Sequence, residues 1–176
     1  MKNALLAGFV LLAAVMAMPR VAGAQISDGD LAERVAEAVR RYPKFSVFDD
    51  VNVLVSNRVV TLTGRVTTPQ KKDELGERTA KVDGVRSLIN DIGVLPPSAR
   101  DAQLRVLVAR AIYNHPAFWR YADLANPPIH IVIENQRITL TGEVGSATDR
   151  MLAFSLAQVG GALSVTNQIK VGRKQP

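Results

Sequence analysis

The chain contains no cysteine. Without a thiol it cannot form the disulfide framework that stabilises many small secreted domains, and it cannot carry the lipid-modified cysteine of a bacterial lipoprotein. The folded part must therefore be held together by its hydrophobic core and its hydrogen bonds. Any contact with a membrane surface must be reversible.

Side chains that commonly carry chemistry are also scarce. The two histidines, His115 and His130, fall in different elements, one beside a helix end and one directed outward from a strand. No cysteine or helical pair of carboxylates completes the spacing of a metal site. The serines lack a nucleophile elbow, and the glycines lack the spacing of a phosphate-binding loop. We therefore predict no catalytic residue, no metal and no cofactor, and we interpret Asp49 and Asp50 as a solvated turn.

Only one apolar run is long enough to suggest a targeting segment. Lys2 supplies a basic start, residues 5–18 are apolar, and Ala22-Gly23-Ala24 has the small-x-small pattern of a cleavage site. The run is shorter than the roughly 20 residues that a membrane-spanning helix needs. We predict a signal peptide over residues 1–24 and an exported mature chain.

The charge is mildly positive, with a formal net charge of +6. This excess favours an acidic partner, such as an anionic lipid surface. It is too dilute to indicate nucleic acid, which would need a basic patch or stripe.

An eight-residue stretch occurs twice in the chain. The stretch VVTLTGRV at 59–66 is repeated with small changes as RITLTGEV at 137–144, 78 residues later. A repeat of this length can bury a small core of its own. We predict module one over 27–95, a linker over 96–98, module two over 99–172 and a tail over 173–176.

Both modules read as helix, strand, strand, helix, strand. This pattern predicts the α+β class, with a three-stranded mixed sheet in each αββαβ module and two helices packed on one face of it. Asn57 and Asn135 indicate hairpin turns, because Asn tolerates the left-handed backbone of such turns. Helix starts are predicted at Ser27, Thr68, Ser98 and Ser146. Structural roles are predicted for Gly64 and Gly142 within strands and for Gly84 and Gly161 at helix ends.

The duplicated strand motif and the glycines that end the helices resemble the BON domain family. The arrangement is similar to its two-module periplasmic members, of the osmotically inducible protein Y type, from about Asp28 to Val171. The resemblance implies a small α/β sandwich in each module, no catalysis, a periplasmic location and attachment to phospholipid surfaces or envelope partners. Two features depart from it: the absent cysteine, and five extra residues before the first strand of module two, ending in Asn126-Pro127-Pro128.

The two modules differ most after their first helix. Phe45-Ser46-Val47-Phe48 in module one corresponds to Phe118-Trp119-Arg120-Tyr121 in module two. Aromatic rings beside an arginine suit the lipid headgroup level, and each nearby arginine would add about 1 kcal/mol of attraction. The resemblance implies that in lipoprotein members of the family the first helix of module two docks on lipid. The predicted lipid-binding residues are Arg105, Arg110, Phe118, Trp119, Arg120 and Tyr121. The alternative is that Trp119 packs against the inserted loop.

A second difference lies in the second helix, where Met151 and Phe154 stand in place of Glu74 and Glu77. We predict that these two residues bind a partner, which is module one, a second copy of the chain or another protein. Two functions therefore stay open. One is a periplasmic protein that associates with anionic phospholipid and supports envelope integrity under osmotic stress. The other is a protein-interaction or chaperone-like module that binds envelope proteins. The sequence does not give the oligomeric state.

Overall fold

The computed structural model describes residues 26–122, 124 and 126–172. The predicted signal peptide and tail lie outside these residues. Module one consists of α1 (Asp28–Arg40), β1 (Asp50–Ser56), β2 (Val59–Val66), α2 (Pro69–Ala80) and β3 (Ser87–Val94). Module two consists of α3 (Ala99–Tyr113), a single 3-10 turn (Pro116–Phe118), α4 (Trp119–Ala122), β4 (Ile129–Glu134), β5 (Arg137–Val144), α5 (Ala147–Leu156), β6 (Ser164–Asn167) and β7 (Lys170–Val171). The predicted α+β class with two tandem modules is confirmed. The 3-10 turn and α4 are additional.

The four longer helices begin where the sequence predicts. Each is preceded by a serine or threonine whose side-chain oxygen accepts the backbone N–H three residues later. This bond satisfies one of the donors that a helix leaves free at its N-terminus. The capping residues are Ser27, Thr68, Ser98 and Ser146.

Each sheet is mixed and carries its core on one face. In module one β2 pairs antiparallel with β1 and parallel with β3, and β5 takes the same central place in module two. Alternate residues of the central strand point into the core: Val60 and Leu62, and Ile138 and Leu140, are fully buried. The helices supply the other half of each core, with Leu31, Val35 and Leu75 in module one and Leu104, Val108 and Ala153 in module two.

The last strand of module two is divided, so its sheet has four strands and not the predicted three. The pairing register with β5 is the same on both sides of the gap, from Leu140 with Asn167 to Glu143 with Lys170. The side chain of Asn167 accepts the Ile169 N–H at 3.1 Å and donates to the Arg150 carbonyl at 2.9 Å. Asn167 thus holds the strand to α5 but interrupts its ladder.

An aspartate on the first helix of each module binds the hairpin turn between the first two strands. Both turn residues of each hairpin have positive φ, as expected for Asn57 and Asn135. The carboxylate of Asp28 accepts the N–H groups of Asn57 and Arg58 at 2.7 and 3.0 Å. Asp101 accepts the two equivalent N–H groups of module two at 2.9 Å each and is 1% exposed. We call Asp28 and Asp101 the turn-binding aspartates.

Glycine is required at one equivalent place in the central strand of each module. Gly64 and Gly142 have φ values of +116° and +103°. A Cβ atom would lie 2.1 Å from the Asp50 carbonyl oxygen at the first position and 1.9 Å from the Pro128 carbonyl oxygen at the second. These contacts are with backbone and cannot be relieved by a side-chain rotation. Gly84 and Gly161, where the second helices end, also have positive φ.

We expect Gly142→Ala to destabilise the protein by about 2 kcal/mol or more, because both the backbone angle and the carbonyl contact oppose a methyl group. Urea unfolding followed by circular dichroism measures the loss. Gly160→Ala is the matched control, since a Cβ there meets no atom within 4 Å. Equal effects of the two substitutions would contradict this assignment.

Candidate functional site

Module one contacts module two through the segment 45–50, which lies against β4. The Ile131 N–H donates to the Val47 carbonyl at 2.6 Å, and the Thr141 hydroxyl donates to the Asp50 carboxylate at 2.9 Å. Phe48 packs against the core of module two. Module one therefore lies against β4 and β5, and it leaves Met151 on α5 55% exposed.

The prediction that His130 is directed outward into solvent is wrong, because module one covers that side of the sheet. The centroid of the imidazole ring lies 5.5 Å from that of the Phe45 ring, and the residue is half-buried, with its Nδ1 atom closed to solvent. His115 stays apart from it, where its Nδ1 accepts the Ala117 N–H at 3.3 Å and begins the 3-10 turn. The two histidines therefore lie in different surroundings.

The interpretation of Asp49 as part of a solvated turn is wrong. Asp49 is fully buried and forms an ion pair at 2.5 Å with Lys71, the third residue of α2. It also accepts hydrogen bonds from the backbone and hydroxyl groups of Ser46 and Thr67, at 2.7–3.0 Å. This network fixes the segment 45–50 to α2, which in turn positions it against module two.

Module two has an ion pair at the equivalent place with its charges exchanged. The acid is Asp149, the third residue of α5, and the base is Arg120 in α4, 2.5 Å away. The Arg120 guanidinium also lies 4.6 Å from the centre of the Tyr121 ring and donates to its hydroxyl at 3.1 Å. Tyr121 is half-buried and stacks on Phe118. Arg120 and Tyr121 therefore hold α4 against α5, and both are already engaged within the module.

Two of the predicted lipid-binding residues are not free to meet a lipid. Phe118 is fully buried in the core of module two, so its inclusion in that surface was wrong. Arg105 is half-buried and donates to the Ile133 carbonyl at 2.9 Å, and burial lowers its pKa. Arg105 holds α3 to β4. The aromatic and helical pattern alone did not separate residues that face inward from those that face outward.

The outer face of α3 supplies residues that the sequence analysis missed. Val106 and Leu107 are 44% and 49% exposed, and with Arg110 they occupy one side of the helix. Trp119 is 60% exposed, and its indole N–H donates to the Asn114 carbonyl at 3.1 Å, at the C-terminal end of α3. The exposed valine and leucine were detectable as apolar residues outside the buried stripe of the helix.

The helices of the two modules differ in charge as well as in exposed apolar surface. Helices α3, α4 and α5 carry five arginines and two aspartates, a net charge of +3, and both aspartates are buried. Helices α1 and α2 carry five basic and seven acidic residues, a net charge of −2. The large hydrophobic residues that module one exposes, Leu54 and Ile89, lie on its strands and not on its helices.

The predicted replacement of Glu74 and Glu77 by Met151 and Phe154 is wrong, because the caps Thr68 and Ser146 align Met151 with Asp73 and Phe154 with Gly76. The predicted partner-binding residues lie at the side of module two formed by α5 and β6. Phe154 is half-buried and lines a shallow cavity of about 410 Å³ together with Val159 and Leu163. Leu163 is 66% exposed, and Met151 stands on the outer side of the same helix. We call Met151, Phe154 and Leu163 the α5 patch.

Among the residues that the structure describes, no three histidine, aspartate or glutamate side chains are grouped as metal ligands. In the same part of the chain, no helix has both the length and the apolar character needed to cross a membrane.

The two equivalent ion pairs should differ in their effect on stability. We expect Lys71→Met to lower the free energy of unfolding by about 3 kcal/mol, because it leaves the buried Asp49 carboxylate without its cation. Arg120→Met is the matched variant, and it should cost only a small part of that loss because Arg120 is largely exposed. Urea unfolding of the two variants measures both values. A larger loss in Arg120→Met would contradict the interpretation.

Comparison with known proteins supplies the family. The model of the BON domain matches this chain twice, at residues 27–96 and 100–173. The outer membrane lipoprotein DolP of Haemophilus influenzae is 24% identical over 172 residues, which cover 95% of this chain and 86% of that protein.

Two solved structures of CdsD, a structural protein of the type III secretion system of Chlamydia trachomatis, are also similar. The first is 14% identical with a TM-score of 0.29, and the match covers 83% of this chain and 94% of that one. The second, the C-terminal domain, is 15% identical with a TM-score of 0.29, covering 84% and 100%. These scores are too low to support an inference. The two matches to the family model span most of the sequence, and the chain belongs to the BON domain family.

Proposed function

We propose that this protein is a non-enzymatic periplasmic protein that docks reversibly on anionic phospholipid through the helices of module two. In this proposal residues 1–24 direct export, and the modules over 27–95 and 99–172 form the mature protein. Docking supports envelope integrity during osmotic stress, as the family resemblance implies. The name of the relative DolP, an outer membrane lipoprotein, agrees with a place in the envelope.

The main support for the proposal is that exposed apolar side chains and basic side chains occur together on the helices of module two. Leu107 and Trp119 are about half exposed or more, and they accompany a helix layer whose net charge is +3. Apolar side chains can enter the headgroup region while arginines beside them meet the lipid phosphates. The equivalent layer of module one has neither property, so we assign docking to module two.

The docking surface that we propose contains fewer of the predicted residues and adds two from α3. Val106, Leu107, Arg110 and Trp119 form the proposed docking surface. The first three are exposed on α3, and Trp119 is exposed at the start of α4, where its indole N–H bonds to the C-terminal end of α3. Arg120 and Tyr121, which follow Trp119 in α4, hold this helix to Asp149 of α5 and to Phe118. The absence of cysteine in this chain makes the attachment depend on these contacts alone.

We expect the mature protein to bind vesicles rich in phosphatidylglycerol and to bind neutral phosphatidylcholine vesicles weakly. Trp119→Ala and Leu107→Ala should each weaken binding about 10-fold, the equivalent of about 1.4 kcal/mol of lost apolar burial. Raising the salt concentration should weaken binding further, because the arginine contribution is screened. Vesicle cosedimentation measures all three effects.

Leu54→Ala is the matched control for these variants. Leu54 is 68% exposed, but it lies on the sheet of module one, so its loss should leave binding unchanged. An absence of binding to anionic vesicles at low salt would refute the proposal. Equal losses in Leu54→Ala and Leu107→Ala would show that the docking surface is misplaced.

A second candidate function is favoured by the α5 patch. Leu163 and Phe154 line a shallow cavity at the open side of β6, and Met151 is exposed one turn before Phe154 on α5. This surface suits contact with an apolar segment of an envelope protein. In this case the protein acts as a protein-interaction or chaperone-like module.

We expect Phe154→Glu and Leu163→Glu to abolish such binding while leaving vesicle binding unchanged, because neither residue belongs to the proposed docking surface on α3 and α4. Crosslinking in the periplasm, followed by identification of the crosslinked proteins, compares these variants with Leu54→Glu as the control. If the same proteins are crosslinked to all three variants, the α5 patch is not a binding surface.

A further inference from the structure

The contact between the two modules contains a histidine in an environment that disfavours its charged form. His130 on β4 lies against the segment 45–50 of module one, near the Ser46 and Asp49 carbonyl groups, and among the described residues its buried Nδ1 has no hydrogen bond of normal geometry. A cavity of about 470 Å³ lies beside it, with residues of both modules in its wall. A charge on this ring would have to be accommodated between the modules.

The charged groups around His130 come from both modules, and the nearest carboxylates have partners of their own. Asp49 is paired with Lys71, and Asp50 accepts the Thr141 hydroxyl. The same cavity is lined by two cationic and two anionic side chains: Arg40 on α1, Lys170 on β7, Asp50 on β1 and Glu143 on β5. The two carboxylates that act on the pKa of His130, Asp49 and Asp50, therefore already have partners.

Burial lowers the pKa of His130 below its ordinary value of about 6.5. The carboxylates of Asp50 and Asp49 and the carbonyl groups of Asp49 and Ser46 act in the opposite direction without overcoming it. The histidine is therefore neutral at pH 7 while the modules are in contact.

The contact combines the packing of Phe48 against the core of module two with polar contacts. Its polar part comprises the Ile131 and Thr141 hydrogen bonds to the segment 45–50, a bond from Asn126 to the Arg40 carbonyl at 2.7 Å, and a partly exposed ion pair between Arg65 and Glu134 at 3.5 Å. Separation of the modules would return the imidazole to water, where its charged form is well solvated.

We propose that the contact between the modules is an acid-sensitive hinge, closed when His130 is neutral and opened when His130 is protonated. The closed form binds the proton more weakly than the open form, so acid favours opening. The stability of the contact is complete above the ordinary histidine pKa and is lost as the pH falls below it. Between pH 7.5 and pH 5 the ratio of open to closed molecules rises by up to ~30-fold.

The absence of cysteine allows one spin label to be placed in each module of the otherwise unchanged mature chain, at Glu77→Cys and Ser155→Cys. Both positions are exposed and lie on second helices. We expect a single short distance at pH 7.5 and an added longer distance at pH 5, measured by double electron–electron resonance. The labelled His130→Gln variant should keep the short distance at both pH values.

His115→Asn is the matched control, because it removes the other histidine and should respond to acid as the unsubstituted chain does. Circular dichroism at both pH values must be the same, since a loss of helix at pH 5 would indicate unfolding and overturn the hinge. A longer distance that persists in His130→Gln at pH 5 but not at pH 7.5, or no change in the unsubstituted chain, would also overturn it.

If the modules of the His130→Gln variant are separated at both pH values, NMR titration of the unsubstituted chain tests the proposal instead. The ring protons of His130 should titrate with a midpoint below that of a histidine in water, in step with the appearance of the long distance. A midpoint at or above about 6.5 would refute the hinge. The proposal rests on the contact between the modules and is independent of lipid binding.

Discussion

Each module depends on a carboxylate of its first helix that holds the backbone of its hairpin turn. The turn residues have left-handed conformations, and their N–H groups point to one aspartate at 2.7–3.0 Å. This interaction fixes the height of the helix along the sheet, so the apolar stripe of the helix meets the apolar face of the strands. In module two it also sets which side of α3 faces solvent, and hence where Leu107 is exposed.

The two modules share this framework but differ on the outside of their helices, which is charged in module one and partly apolar in module two. Module one pairs Glu74 with Lys44 and with the Tyr42 hydroxyl, so the outer side of its second helix is polar and satisfied within the module. In module two the helix caps align Leu152 with Glu74, so this pairing is absent, and the module exposes Met151 on its second helix and valine, leucine and tryptophan around its first. The shared core explains why both modules fold alike, and the unshared surface is where a function specific to one module must reside.

A structural feature could be predicted from the sequence when its cause lies within a few neighbouring residues. The serine and threonine caps, the left-handed asparagines and Gly142 act within a few residues of themselves, and their repetition in two modules made them recognisable. The burial of Asp49 could not be predicted, because its cation is 22 residues away on α2. The surroundings of His130 depend on the other module, which no local pattern describes. The division of the last strand arises from the side chain of Asn167, whose counterpart Asn90 has a longer bond, 3.4 Å, to the equivalent N–H in an unbroken strand.

The exchanged charges of the two ion pairs have a consequence for how the repeats assemble. Two similar halves of one chain can trade elements while folding, and the second helices are the nearest equivalents. If α2 took the place of α5, Lys71 would meet Arg120, and if α5 took the place of α2, Asp149 would meet Asp49. Each incorrect arrangement would bring like charges together, the second of them in a site closed to water. The opposite polarity of the two pairs therefore directs each helix to its own half of the chain.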